Sequence, residues 1–199
     1  VGDSAIGMDF GMKSYLTLSN GQEIKSPEFL KQNLKLIKSL NKAFCKKRRC
    51  SNNRKKALKK LQKVHNDVFN KRTDFEWKLA HELCKHNSFI AIEDLNLEAM
   101  KKLWGRKISD LSFSSFVNKL GQVALKYNTV LQKVDRYYAS SKTCSCGVKN
   151  KELKLSEREW VCSSCGTVHQ RDLLASNNIL SEGIRLYCTK HKTDIVSAV

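Results

Sequence analysis

Three carboxylates stand where they could serve one centre. Asp9 follows a short apolar stretch in Gly7-Met8-Asp9-Phe10-Gly11, Glu93 ends the apolar run Phe89-Ile90-Ala91-Ile92, and Asp172 opens the last helical stretch in Arg171-Asp172-Leu173-Leu174. Each has an ordinary role if taken singly: Asp9 in a turn, Glu93 or Asp94 as a loop cap, Asp172 as a helix N-cap. Together, two acids at strand ends and a third at a helix start can converge at one end of a sheet. Their hard oxygens suit Mg2+ or Mn2+. Two such ions about 4 Å apart activate water and stabilise the leaving 3′ oxygen in phosphodiester hydrolysis. Asp94, next to Glu93, competes with it for the second position. The helix start at Asp172 favours negative charge nearby.

A second constellation is built of thiols. Cys144-Ser145-Cys146-Gly147 and Cys162-Ser163-Ser164-Cys165-Gly166 present two close pairs separated by fifteen residues. Four thiolates so paired are suited to tetrahedral zinc, and the glycines let each turn aim its amides at sulfur. The second pair has two intervening residues; the first has one, which leaves open whether His169 replaces a cysteine. The other cysteines, Cys45, Cys50, Cys84 and Cys188, show no ligand spacing and are read as core or incidental thiols.

The elements that must position these groups follow from hydrophobic periodicity. Residues 5–25 read as a meander of two or three strands, with Asn20-Gly21 as a hairpin turn. Pro27 sits where a helix could open. Apolar residues then recur at helical spacing from Leu30 to Phe44 and from Ala57 to Leu83, giving a helical hairpin at about 28–86. Phe89 to Glu93 is a strand, residues 94–111 look irregular, and Phe113 to Ala124 form a helix with Ser112 as its candidate N-cap. Val130 to Val134 is another strand. Residues 140–170 form the cysteine insert, and a final helix covers 171–187. The tail, 188–199, has no clear pattern and reads as disordered. Helices interleaved with strands imply an α/β fold with a mixed sheet, its core spanning 1–139.

Charge is distributed unevenly. The 199 residues carry a formal net charge of +18. From Phe29 to Asn66 there is no Asp or Glu, but there are fourteen Lys and Arg. A solvated helix face usually mixes signs to gain i,i+4 pairs, so unrelieved repulsion here asks for a polyanion. Lys46, Lys47, Arg48, Arg49, Arg54, Lys55, Lys56, Lys59 and Lys60 are the candidate nucleic-acid contacts, tracking phosphates rather than reading bases. The alternative is a merely soluble basic surface. A single Pro and nine Gly argue against a disordered chain. No run of about 18 apolar residues could span a bilayer, and no signal-peptide pattern is present. Disulfide pairing in a secreted domain fits less well than a reducing cytoplasm. The chain opens without Met, almost on a strand, which implies upstream sequence. Nothing in the residues sets an oligomeric state.

These motifs, in this order, resemble the C-terminal nuclease half of the transposon-encoded TnpB (OrfB, IS200/IS605-type) proteins, relatives of the Cas12 effectors. The marks are Gly7 to Gly11, Ile92-Glu93-Asp94-Leu95-Asn96, Ser140 to Gly147, Trp160 to Gly166 and Arg171-Asp172. The resemblance implies an RNase H-like (RuvC) mixed sheet flanked by helices, with a helical hairpin insert and a zinc-ribbon-like insert. It also implies a metal-dependent, RNA-guided DNA endonuclease with Asp9, Glu93 and Asp172 as catalytic acids holding Mg2+ or Mn2+. Zn2+ would lie on Cys144, Cys146, Cys162 and Cys165. Guide RNA and target DNA would be the partners, with the basic hairpin along their heteroduplex. The implied setting is a prokaryotic, cytoplasmic, nucleoid-associated protein with no membrane contact. The chain departs from the family in Leu174, where an Asn is usual, and in Gln170, where an acid is frequent. The family's upstream region, which recognises guide scaffold and target-adjacent motif, lies outside this sequence. The competing reading is a nucleic-acid-binding module of the same family that no longer cuts.

Overall fold

The computed structural model describes residues 4–154 and 156–196. Its centre is a five-stranded mixed sheet. β1 (Ser4–Phe10), β2 (Ser14–Leu18) and β3 (Glu23–Lys25) form the antiparallel meander; β4 (Asn87–Glu93) and β5 (Val130–Val134) extend it in parallel, giving the order β3-β2-β1-β4-β5. The turn after β2 uses Gly21 at φ 87°, a conformation that favours glycine. β1 is covered on both faces, as its central place requires: Ile6, Met8 and Phe10 are buried on one, and Gly7, on the other, is buried under α5.

Two helices cover one face. α2 (Asn52–His86) runs for 35 residues, about 50 Å at 1.5 Å per residue. Its second half supplies Val68, Leu79, Ala80 and Leu83 to the core, and α4 (Phe113–Tyr127) adds Phe113, Phe116, Leu120 and Val123. Phe10, Tyr15, Phe113 and Phe116 pack edge-on or tilted at the middle of this layer. Glu76 on α2, 1% exposed, accepts hydrogen bonds from Lys119 Nζ and Ser115 Oγ on α4, both at 2.7 Å. This pair fixes the two helices to each other.

The first half of α2 projects from the sheet and pairs with α1 (Phe29–Cys45), which has no buried residue. Pro27 lies just outside α1, whose first turn is capped from a distance: Asp110 accepts from the Leu30 and Lys31 amides at 3.0 and 3.1 Å and from Arg72 Nη2 at 3.2 Å. One carboxylate thereby ties both arms of the basic hairpin to the core.

The opposite face is covered by α5 (Arg171–Val196). The fit is close. A Cβ at Gly7 would lie 2.1 Å from the Ser176 carbonyl oxygen, and one at Gly183 would lie 2.6 Å from Ala91 Cβ. Only glycine lets the helix approach the strands this nearly.

Two expectations require correction and a third is extended. Residues 94–111 are not irregular: α3 (Leu97–Leu111) begins at Asn96, whose side chain accepts from the Ala99 amide. Its apolar period is interrupted because the backbone leaves helical geometry at Trp104 (φ −132°, ψ 34°). Ser112 is the N-cap residue of α4, its carbonyl accepting from the Phe116 amide, but its side chain makes no capping bond; at φ 54° it also closes α3, its amide donating to the Ile108 carbonyl. The tail is helical as far as Val196, since neither Pro nor Gly interrupts α5 after Gly183, and Tyr187 packs on Phe89 with ring centroids 5.6 Å apart. Residues 197–199 of that expected tail lie outside the described residues. Among the described residues no helix is long and apolar enough to cross a membrane.

Candidate acidic cleft and cysteine insert

Strand register brings the first two acids together. β1 and β4 run parallel with Met8 beside Ile92, so the next residues, Asp9 and Glu93, are neighbours at the ends of adjacent strands. The third acid arrives on the first turn of α5, held by the close packing at Gly7. All three line one open cleft of about 580 Å³, together with Met100, Trp104, Lys142, Arg158 and Arg171. The competitor Asp94 turns elsewhere: its carboxylate pairs with Arg136.

The electrostatics are strained in a definite direction. Burial, followed by the nearby charges of Glu93 and Asp172, pushes the Asp9 carboxyl up to about 8. Burial and Asp94 push Glu93 up to about 7. Carboxyls buried beside other acids hold protons near neutrality unless a cation offsets their charge. Asp172 is ion-paired: Arg158 Nη1 donates to both its oxygens at 3.0 and 2.7 Å. The trio is more loosely gathered than a closed ion site: among the described residues, only the four cysteines bring ligand atoms within 4.8 Å of one another. Arg158 was not singled out by sequence reasoning. It lies fourteen residues before Asp172 and reaches it only because the insert folds back. The Arg171 amide donates to the Arg158 carbonyl at 2.8 Å.

The insert is a short hairpin, β6 (Glu159–Val161) and β7 (Val168–Gln170), facing a turn-rich lobe. Gly147 and Gly166, at φ 88° and 71°, close the two cysteine turns. Their amides donate to the Cys144 and Cys162 carbonyls, both at 2.9 Å. Cys144, Cys146, Cys162 and Cys165 converge, with Sγ separations of 3.5 Å (Cys144 to Cys165) and 3.7 Å (Cys146 to Cys162). The single residue between Cys144 and Cys146 therefore does not keep the sulfurs apart. His169 Nε2 also lies beside the cluster, 3.0 Å from Cys144 Sγ. The Thr167 hydroxyl and amide draw the Cys165 thiol down to about 6, and the Cys165 and Ser164 amides lower Cys162. Cys146 goes the other way, up to about 12: the Val148 backbone bond lowers it, but its bonds to the Cys144, Cys162 and Cys165 sulfurs outweigh that, so the cluster as it stands shares protons that a bound metal would displace. The donor set fits zinc.

The insert is fastened to the sheet domain rather than tethered. Asn178 Nδ2 on α5 donates to the Ser140 and Thr143 carbonyls at 2.7 and 2.6 Å. Leu174 completes the insert's apolar cluster with Cys144, Leu153, Trp160 and Cys162. The Leu at this position, a departure from the family pattern, is used for packing.

The hairpin candidates divide. Lys46, Lys47, Arg48, Arg49, Lys55, Lys56, Lys59 and Lys60 are exposed, and among the described residues none of them has an ion pair. Arg54 differs: its guanidinium lies 4.1 Å from the Phe44 ring centroid and donates to the Lys47 carbonyl at 3.1 Å. It shapes the bend between α1 and α2 in addition to adding charge. Of the remaining cysteines, Cys84 is buried and Cys45, Cys50 and Cys188 are exposed.

Fold and site together define an α/β protein with a mixed sheet, an acidic cleft at the strand ends and a four-cysteine insert docked beside it. Residues 2–103 match the model of the OrfB_IS605 family, described as probable transposase, and residues 113–179 match the Cas12f1-like TNB domain. A protein of Streptomyces pristinaespiralis named "Putative RNA-guided DNA endonuclease" is 35% identical over 184 residues, covering 91% of this chain and 46% of that protein. TnpB-like protein L79 of Acanthamoeba polyphaga mimivirus is 33% identical over 199 residues, covering 92% and 38%. The chain thus spans about half the length, or less, of these relatives. Among solved structures, a CRISPR-Cas12f ternary complex aligns with TM-score 0.63 at 20% identity, covering 90% of this chain and 39% of that one. A Cas12f1-sgRNA-target DNA complex aligns at 0.60, also at 20% identity, covering 90% and 50%. The chain belongs to the OrfB (TnpB) transposase family, and its α/β fold is that of Cas12f.

Proposed function

We propose that this chain carries the metal-dependent nuclease centre of an RNA-guided DNA endonuclease, on an RNase H-like (RuvC) sheet. The observation that carries the reading is that Asp9, Glu93 and Asp172, from three distant stretches of chain, line one cleft in which burial raises the first two, with Glu93 and Asp172 adding to the rise at Asp9 and Asp94 to that at Glu93. The order of three antiparallel strands followed by two parallel ones supports the fold assignment. The 35%-identical Streptomyces relative supports the activity through its name.

Asp9, Glu93 and Asp172 would hold Mg2+ or Mn2+, whose hard-ligand preference they meet. Bound there, the ions supply the Lewis acidity that activates water and offsets charge on the leaving 3′ oxygen. The chain's own residues do the rest. Arg158, Arg171 and Lys142 line the same cleft and orient a phosphate by charge-assisted hydrogen bonds. Arg158, which pairs with Asp172, would be free to turn to phosphate were a cation to neutralise that carboxylate. Cys144, Cys146, Cys162 and Cys165 would hold Zn2+ and so stiffen a zinc-ribbon-like insert that carries Arg158. The exposed basic residues of α1 and α2 would track the guide RNA–target DNA heteroduplex through its backbone.

The test is to incubate the protein with guide RNA, matched DNA and Mg2+, alongside Asp9→Ala and an EDTA control. Cutting that needs both Asp9 and the cation is expected. Cutting that survives either control removes the metal–carboxylate mechanism. Guide-dependent binding with no cutting, including in a chain extended upstream to its relatives' length, leaves a binding module.

A further inference from the structure

Trp104 stands apart from the other tryptophans. Trp77 packs on the main core and Trp160 is buried in the insert. Trp104 is 40% exposed and belongs to none of the apolar clusters or aromatic pairs among the described residues. It nevertheless lines the cleft that holds the three acids, one turn beyond Met100, which lines it too. The helix carrying it leaves regular geometry at this residue. The residue that follows is Gly105, around which a Cβ would meet nothing within 4 Å. An indole left uncovered at a break in its helix, beside a cleft lined by Lys142, Arg158 and Arg171, pairs an apolar flat surface with phosphate-binding cations. That combination is the one single-stranded nucleic acid uses: backbone on cations, base faces on an aromatic ring. Bases in a duplex are already stacked on each other and offer no free face.

We infer that Trp104 is a stacking platform for an unpaired base of the DNA strand drawn into the acidic cleft, and that it makes the cleft favour single strand over duplex. The inference rests on the nuclease reading, because the acids fix where the phosphate next to that base must lie.

The experiment uses the full chain at near-physiological salt with no added Mg2+ or Mn2+ and no chelator, so that binding is read without cutting and the insert keeps any zinc it holds. Oligo-dT and a blunt duplex of equal length are each titrated, with tryptophan fluorescence and anisotropy as readouts. Oligo-dT is expected to quench the fluorescence. Trp104→Leu should abolish the quench and weaken oligo-dT binding roughly ten-fold, leaving duplex binding on the basic hairpin unchanged. Trp104→Phe, which keeps a ring, should retain most of the affinity, and Trp77→Phe should retain the quench. Far-UV circular dichroism and Tm show that each variant is folded. If Trp104→Leu binds oligo-dT as tightly as the parent, or if the quench persists, the inference is overturned while the nuclease reading stands. If neither DNA binds the parent protein, the inference is overturned, and the nuclease reading stands or falls on the guided cutting test.

Discussion

Gly7 on β1 and Ser176 on α5 touch through their backbones: a Cβ at position 7 would come within 2.1 Å of the Ser176 carbonyl oxygen and 2.8 Å of Leu180 Cβ. Two residues along β1 is Asp9; one turn back along α5 is Asp172. The glycine is thus the hinge point of the acidic cleft, although it carries no chemistry itself. Gly7→Ala should force α5 outward, at a cost of about 1–3 kcal/mol from overpacking, and should weaken Mn2+ binding measured by calorimetry. Val123→Ala on α4, buried on the other face of the sheet, provides the control. It should lower Tm to a similar degree and leave Mn2+ affinity unaltered. Equal losses of affinity in both variants would show that the approach at Gly7 has no particular bearing on the cleft.

The raised acids set a pH dependence with a definite sign. Asp9 moves from 3.8 to about 8 and Glu93 from 4.5 to about 7 on folding. Between those limits the folded chain holds protons that the unfolded chain has released, so stability falls as pH rises. In EDTA, Tm should decline from about pH 5 to about pH 9. Asp9→Asn should flatten the decline. Mn2+ should raise Tm more at the alkaline end, where the ligands are already deprotonated. A Tm that is level across this range, or that declines equally in Asp9→Asn, would contradict the account of the cleft's charge.

Much of the frame was legible because it obeys short periods. The meander, the two hairpin helices, the strand ending in Glu93 and the strand Val130–Val134 all follow alternation or helical spacing, and each acid was placed at an element's end. What escaped lacks an unbroken apolar period or depends on contacts between distant segments. α3 was unreadable since its apolar period is broken at Trp104. The end of α5 beyond residue 187 was missed because that stretch has no continuous apolar face; ring packing of Tyr187 on His191, one turn on, is not an apolar period. Arg158 carries no motif; its role exists only once the insert has folded onto α5. Arg54 counted as one more cation until the Phe44 ring was found beneath it. Ser112 was placed correctly as the cap of α4, but that its φ of 54° also ends the preceding helix depends on α3, which the sequence did not reveal.

The buried pair Glu76–Lys119 anchors the helix that carries half of the basic hairpin. With Glu76 1% and the Lys119 side chain 15% exposed, removal of one partner strands a charge in the core. Lys119→Met should cost about 3–5 kcal/mol, whereas the double variant Glu76→Leu with Lys119→Met should recover most of it. Urea denaturation reads both. A single variant as stable as the parent would mean that the pair is solvated and does not clamp α2 to α4.

The insert's apolar cluster is small, five residues including two of the cysteines, so the thiol cluster and not burial must hold it together. One equivalent of zinc is expected in the purified protein, contributing on the order of 10 kcal/mol to the insert's order. Cys162→Ser should lose the metal and expose Trp160, seen as a red shift in its emission, while the five-stranded sheet keeps its far-UV signature. His169→Gln separates the two accounts of the short Cys144–Cys146 spacing. If four sulfurs complete the site and His169 only hydrogen-bonds Cys144 from outside, this variant keeps its zinc. Its Co2+ form then shows the same four-thiolate absorption as the parent. Loss of the metal, or a spectrum that changes from three-thiolate-one-nitrogen to another type, would make His169 a ligand after all and displace one cysteine from the set.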